Sequence, residues 1–209
     1  MLELTQLRSA AEAGFDQLIQ LYTDAFPASE RKSTSTLHRM LHDASYRFFV
    51  AKREETFVGF AIARHCAGNE VALLEYMAVS PGHREQGLGR ELYKVVAGML
   101  RHTSPALLIE VESDHLPGPE QASQARRKAF YHRQGARQIA GLHWLMPAVA
   151  DTEPPPMDLL LHSGTTSMIS KTTLRHWLQS IYVEVYDQPA NDARIQAMLA
   201  LLPDSILLR

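Results

Sequence analysis

A chain of 209 residues, 45% hydrophobic and 21% charged, can bury the core of one soluble domain, which excludes the disordered and fibrous classes. Its formal charge of −2 lacks the basic surplus of a general nucleic-acid binder, and no apolar run approaches the roughly 18 residues of a membrane helix, so neither nucleic acid nor membrane is an expected partner. Cys66 is the single cysteine and Met1-Leu2-Glu3-Leu4 lacks the basic and apolar regions of a signal peptide, so the expected location is a reducing cytoplasm.

In chain order, Leu2 to Leu7 alternates like a strand, and Phe15 to Phe26 carries apolar residues at helical spacing until Pro27 stops it. Ser29 reads as the cap of a second helix, expected over Ser35 to Asp43. Two strands follow, Tyr46 to Arg53 and Thr56 to His65, joined by the charged turn Glu54-Glu55 as a hairpin, and Val71 to Val79 is the next strand. After it comes Ser80-Pro81-Gly82-His83-Arg84-Glu85-Gln86-Gly87-Leu88-Gly89-Arg90, and then a helix whose Leu88, Leu92, Val95, Val96 and Met99 form one apolar face. A helix start has unpaired N–H groups and partial positive charge, and Gly87 and Gly89 clear side chains from the approach, so this turn reads as a pyrophosphate cradle. A Walker A loop would need Gly-Lys-Ser/Thr at its end, and a dinucleotide fingerprint a third glycine where Leu92 stands.

Farther on, Ala106 to Glu112 is a strand, Ala122 to Gln134 a helix, and Arg137 to Met146 and Met157 to His162 are strands. Pro154-Pro155-Pro156 makes a stiff loop before the last of these. Beyond residue 163, Ser170 caps a helix striped by Leu174, Trp177, Leu178 and Ile181, and Asn191 or Asp192 caps another with Ile195, Met198, Leu199 and Leu202. The expected division is a domain over residues 1–163 and a helical extension over 164–209, which covers the sheet, lines the acceptor cleft or makes a homodimer contact.

Arg84-x-x-Gly87-x-Gly89 between a strand and an amphipathic helix resembles the acetyl-CoA signature of the GNAT superfamily of N-acetyltransferases, and the element order matches that topology from about Leu2 to His162. Phe26-Pro27-Ala28-Ser29-Glu30-Arg31 is similar to a segment of a bacterial-type group within it, in a region that borders the acceptor, so Glu30 or Arg31 can face substrate. The resemblance implies an α/β fold with a mixed, mostly antiparallel central sheet flanked by helices, here with a C-terminal helical extension. It implies acetyl-CoA as co-substrate and a small-molecule or peptide amine as acceptor. The backbone N–H groups of Gln86, Gly87, Leu88, Gly89 and Arg90 would take the pyrophosphate, with Arg84 and Arg90 as cations, and Met77, Ala78 and Val79 would pair with the pantetheine arm. Many relatives carry an asparagine one to two turns before a helix-end tyrosine; here Gln124 and Tyr131 hold those places.

Tyr131 beside the departing sulfur can protonate the thiolate, and it would also contact the cofactor. The base is open among three acids. Period 2 puts Glu110 and Glu112 on one face of their strand, which must open onto a cleft or pair with arginine, and Glu75 matches a position where some relatives carry an active-site acid. No metal is expected: Glu110, Glu112, Asp114 and His115 lack a completing ligand pair such as His-x-x-x-His. Direct attack in a ternary complex is expected over an acetyl-Cys66 intermediate. A chain of this kind that binds CoA but no longer transfers acetyl groups is the alternative function.

Overall fold

The computed structural model describes residues 2–209. Seven strands form one sheet: β1 (Glu3–Leu7), β2 (Tyr46–Arg53), β3 (Thr56–Cys66), β4 (Val71–Val79), β5 (Ala106–Glu112), β6 (Arg137–Gln138) and β7 (Met157–His162), in the spatial order β1-β2-β3-β4-β5-β7-β6. Only β4 and β5 run parallel; every other neighbouring pair is antiparallel. That single parallel step needs a crossover, which α3 (Leu88–Thr103) supplies.

Alternation along the strands sorts the core into two faces. Phe49, Ala61, Leu74, Leu107 and Ile109 pack under α3, whose Leu88, Leu92, Val96 and Leu100 are buried, together with Tyr131 of α4 (Gln121–Arg133). On the opposite face α1 (Phe15–Ala25) and α2 (Thr34–His42) cover β1 to β3 through Leu18, Leu37, Phe48, Phe60 and Ile62. The rest of that face is covered by α5 (Lys171–Tyr186) and α6 (Ala193–Ala200), where Leu174, Leu178, Tyr182 and Ile195 share a cluster with Leu73, Leu108 and Leu161. Among the described residues no helix is long and apolar enough to cross a membrane.

Two expectations are corrected, and one element is new. Ser33, not Ser29, caps α2, accepting the Thr36 N–H at 3.2 Å; Ser29 lies inside a one-turn 3-10 segment, Ala28–Glu30. The expected strand from Arg137 to Met146 shortens to β6, because Gly141 turns the chain at φ 79°, leaving Trp144 in an isolated bridge to Met157. The new element is a small second sheet of β8 (Met168–Ser170) and β9 (Ser205–Leu207), which local sequence pattern does not announce. The residues after β9 cover the β6 edge: Gln138 and Arg209 exchange both backbone bonds, at 2.7 and 2.9 Å. The expected capping residues Ser170 and Asp192 do accept the Thr173 and Arg194 N–H groups, both at 2.9 Å.

Two irregularities in β4 open the centre of the sheet. The β3–β4 register jumps, pairing Ile62 with Tyr76 and Ala63 with Leu74, so Glu75 is an unopposed bulge residue. Parallel pairing of β4 with β5 stops at Leu74–Ile109, so Glu75 to Val79 and Glu110 to Glu112 diverge and leave a slot between the strands. Gly59 permits close packing at the far end of β4, since a Cβ there would lie 2.6 Å from the Ala78 carbonyl oxygen. Gly59→Ala must therefore displace β4, and we expect a loss of about 1–3 kcal/mol in unfolding free energy by denaturant titration.

Candidate active site

The slot opens into a cavity of about 570 Å³ that reaches both faces of the sheet. Its floor is the diverging β4, whose residues 75–79 have no β5 partner and so offer free backbone groups on that side. Next to it stands the start of α3. Gly87 caps this helix in the left-handed region (φ 79°), and a Cβ there would meet open space. The first intrahelical bond runs from the Glu91 N–H to the Gly87 carbonyl at 3.1 Å, so the N–H groups of Leu88, Gly89 and Arg90 have no acceptor within the helix. A Cβ on Gly89 would contact Val79 and Phe130 at 3.7–3.9 Å. Arg84 lines the cavity while its Nε donates to the Val79 carbonyl at 3.2 Å, tying the turn to the strand end. This cradle fits a phosphate-bearing ligand by its unpaired donors and helix dipole.

From the α3 face, α4 presents Ser123, Arg126, Arg127, Phe130 and Tyr131 to the cavity. Gln124 is half-buried but turned one residue off this face, and Ser123 stands where an amide was expected. Tyr131 is 6% exposed, and its hydroxyl has no hydrogen-bond partner among the described residues. Burial pushes its phenol up to about 12, so it keeps its proton at any ordinary pH.

The carboxylates come from the opposite face, as the alternation of β5 dictates, and the three candidates stand in different surroundings. Glu75 is buried and ion-paired with Lys32. Glu112 pairs with Arg127 at 2.8 Å. Among the described residues Glu110 has no cationic partner: it accepts hydrogen bonds from Trp144 Nε1 at 3.1 Å and from the Tyr186 hydroxyl. Burial raises its carboxyl from the ordinary 4.5 to about 7, against the lowering effect of Tyr186. A cavity-lining group that titrates near neutrality is the form a general base takes.

A fourth acid joins them from the 3-10 turn. Tyr76 donates to the Glu30 carbonyl at 2.8 Å and Tyr22 to the Lys32 carbonyl at 3.2 Å, fixing this segment over β4 with Glu30 in the cavity wall. Arg31 turns away and donates to the Thr23 carbonyl at 3.3 Å, so of the two residues flagged in that segment it is Glu30 that meets the cavity. Sequence reasoning missed Lys32, Trp144, Arg127 and Tyr186. The apolar stripe of the C-terminal helix, extended one turn past Ile181, arrives at Tyr186.

Cys66 and a group of metal-ligand type stand apart from these acids. Cys66 is 1% exposed and outside the cavity, and burial pushes its thiol up, away from the nucleophilic thiolate. Asp114, His115 and Asp158 bring ligand atoms within 4.8 Å of one another, but Lys128 Nζ already lies 3.0 Å from Asp114 and 2.7 Å from Asp158. Glu110 and Glu112 are not part of that group.

Against known proteins, the profile of the acetyltransferase (GNAT) family matches residues 15–135, more than half of the chain, from α1 through α4. The chain belongs to this family. Its fold and its class, an acyltransferase, follow, and GNAT enzymes use acetyl-CoA. A GNAT-family protein of Bacteroides thetaiotaomicron superposes with a TM-score of 0.72 at 17% identity, over 88% of this chain and 98% of that one. A GNAT acetyltransferase of Elizabethkingia anophelis, solved with acetyl-CoA bound, gives 0.54 at 16% identity, over 78% and 97%. The ribosomal-protein-S18-alanine N-acetyltransferase of Escherichia coli gives 0.53 at 22% identity, over 77% and 91%. At these identities the likeness is one of fold. A sequence relative, an uncharacterized protein of Dictyostelium discoideum, is 28% identical over 104 residues, which are 48% of this GNAT chain and 23% of the relative's length.

Proposed function

We propose that this GNAT enzyme moves the acetyl group of acetyl-CoA to a primary amine by direct attack, with both substrates bound together. The observation that carries the reading is Glu110, a buried carboxyl titrating at about 7 in the wall of the cavity that Tyr131 also lines. The N–H groups of Gln86 and Gly87 in the turn, with the unpaired ones of Leu88, Gly89 and Arg90 at the start of α3, would hold the pyrophosphate, and Arg84 and Arg90 add positive charge. Met77, Ala78 and Val79 would hold the pantetheine arm with the backbone groups that β5 leaves unpaired. The thioester that acetyl-CoA supplies would then lie at the slot, between the two faces of the sheet.

An amine reaches the site as ammonium and attacks only after losing a proton. Glu110 takes that proton, its acidity matched to neutral pH and its orientation fixed by Trp144 and Tyr186. Tyr131, held neutral by burial, gives its proton to the departing sulfur. The acid-rich acceptor side, with Glu30, Glu110 and Glu112 on the wall, favours a cationic acceptor. Use of acetyl-CoA and a lone buried thiol support a cytoplasmic location.

Tyr131→Phe removes one hydroxyl and no packing volume. It should lower kcat for thiol release by on the order of 10²-fold while leaving acetyl-CoA affinity within about twofold. Steady-state turnover with calorimetric binding reads both; an unchanged kcat across pH would take the acid role from Tyr131.

A further inference from the structure

Resting on the acetyl-transfer reading, we propose that the acceptor carries a second cationic group, bound by Glu30 together with Glu112, so that the preferred substrates are α,ω-diamines rather than monoamines. Glu30 is only 7% exposed, yet its Oε1 has no hydrogen-bond partner among the described residues, and the side chain lines the cavity. A buried polar oxygen without a partner costs stability, and the Tyr76 hydroxyl clamps the backbone that holds this one in place. Its neighbour Glu112 lies within hydrogen-bond reach and already has Arg127 at 2.8 Å, so two carboxyl groups share one cation and hold a proton between them where a second cation would stand. A ligand ammonium would take the place of that proton. Burial, and next a hydrogen bond with Glu112, holds the Glu30 carboxyl well above the ordinary range, which agrees with a missing positive charge.

The spacing argues for two nitrogens on one molecule. Glu110, the base, and Glu112 alternate onto one face of β5, so their Cα atoms are roughly 7 Å apart along the strand. A nitrogen losing its proton to Glu110 and another between Glu112 and Glu30 would be joined by roughly five or six bonds of extended chain, or four or five methylenes. Phe26 and Tyr76, whose ring centroids are 5.1 Å apart, line the same cavity and offer apolar surface to those methylenes. Glu75 is not available for the task, since Lys32 holds it.

Thiol release from acetyl-CoA would be compared for diaminobutane, diaminopentane and butylamine, using the whole chain and its Glu30→Gln variant. In parallel, each amine would be titrated calorimetrically into the protein saturated with CoA. The diamines should exceed butylamine in kcat/KM by about 10-fold or more, and Glu30→Gln should bring that ratio near one, mainly through KM. Equal use of butylamine by the native chain, or a ratio unmoved by Glu30→Gln, overturns the diamine subsite while leaving acetyl transfer intact. Diamine binding that depends on Glu30, without thiol release from any amine, upholds the subsite and overturns acetyl transfer. Absence of diamine binding and of diamine turnover overturns the subsite.

Discussion

Glu110→Gln is expected to lower turnover at pH 7 by about 10²- to 10³-fold, the largest activity loss of any single substitution in the cavity. The amide keeps the volume and the Oε1 acceptor that Trp144 and Tyr186 address, so the site retains its shape and loses only its capacity to take a proton. The same change should stabilise the fold at alkaline pH. Glu110 titrates near 7 in the folded chain and near 4.5 unfolded, so between those values the folded state binds the proton more tightly. Its protonation therefore favours folding at acid pH, and stability falls as pH rises from about 4.5 through about 7, by on the order of 3 kcal/mol for the full shift. In Glu110→Gln that part of the slope vanishes. Denaturant titrations at pH 5 and pH 8 read it: the variant should gain on the native chain at pH 8 and match it more nearly at pH 5. A base poised for catalysis at a cost in stability is the expected pattern at such a site.

The second large effect is on stability. Lys32→Met should cost about 3–5 kcal/mol, because it leaves the Glu75 carboxylate buried without its cation. The Lys32 and Glu75 side chains are 7% and 2% exposed; Lys32 meets Glu75 Oε2, and Oε1 has no hydrogen-bond partner among the described residues. Lys32 also donates to the Val185 carbonyl at 3.3 Å and lies 5.4 Å from the Tyr186 ring, so one ammonium joins the segment before α2, the bulge of β4 and the end of α5. Replacing both partners, as Lys32→Met with Glu75→Leu, should recover most of the loss, since two apolar groups leave no charge unanswered. Chemical denaturation followed by circular dichroism compares the three proteins. Equal stability of Lys32→Met and the native chain would show that water reaches Glu75.

Much of this arrangement was legible in the letters, for identifiable reasons. Long periodic segments announced themselves: β2 to β5 by alternation and composition, α3 by Leu88, Leu92 and Val96, α4 by its aromatic end. The glycine turn was readable because helix starts and phosphates share one local chemistry, and Glu110 because a carboxylate inside an apolar strand demands an explanation. What escaped depended on distant partners. The bulge at Glu75 exists only in register with β3. Lys32 meets Glu75 from 43 residues away, Trp144 meets Glu110 from 34, and Tyr186 from 76. On its own helix Tyr186 is one more residue of an apolar stripe, and nothing local marks its hydroxyl as aimed at an acid. Strands of three residues, β8 and β9, are too short to show a period, and Gly141 ended β6 where hydrophobicity alone ran on.

The most direct test of acetyl transfer through Glu110 is the pH dependence of kcat/KM for acetyl-CoA-dependent thiol release, with the best acceptor from a panel of amines, in the native chain and in Glu110→Gln. The native profile should rise through an acid limb near pH 7, and the variant should lose that limb along with most of its rate. A limb that persists unchanged in Glu110→Gln would remove Glu110 as the base. Tight acetyl-CoA binding with no amine raising thiol release above background would instead make this GNAT chain a cofactor-binding module.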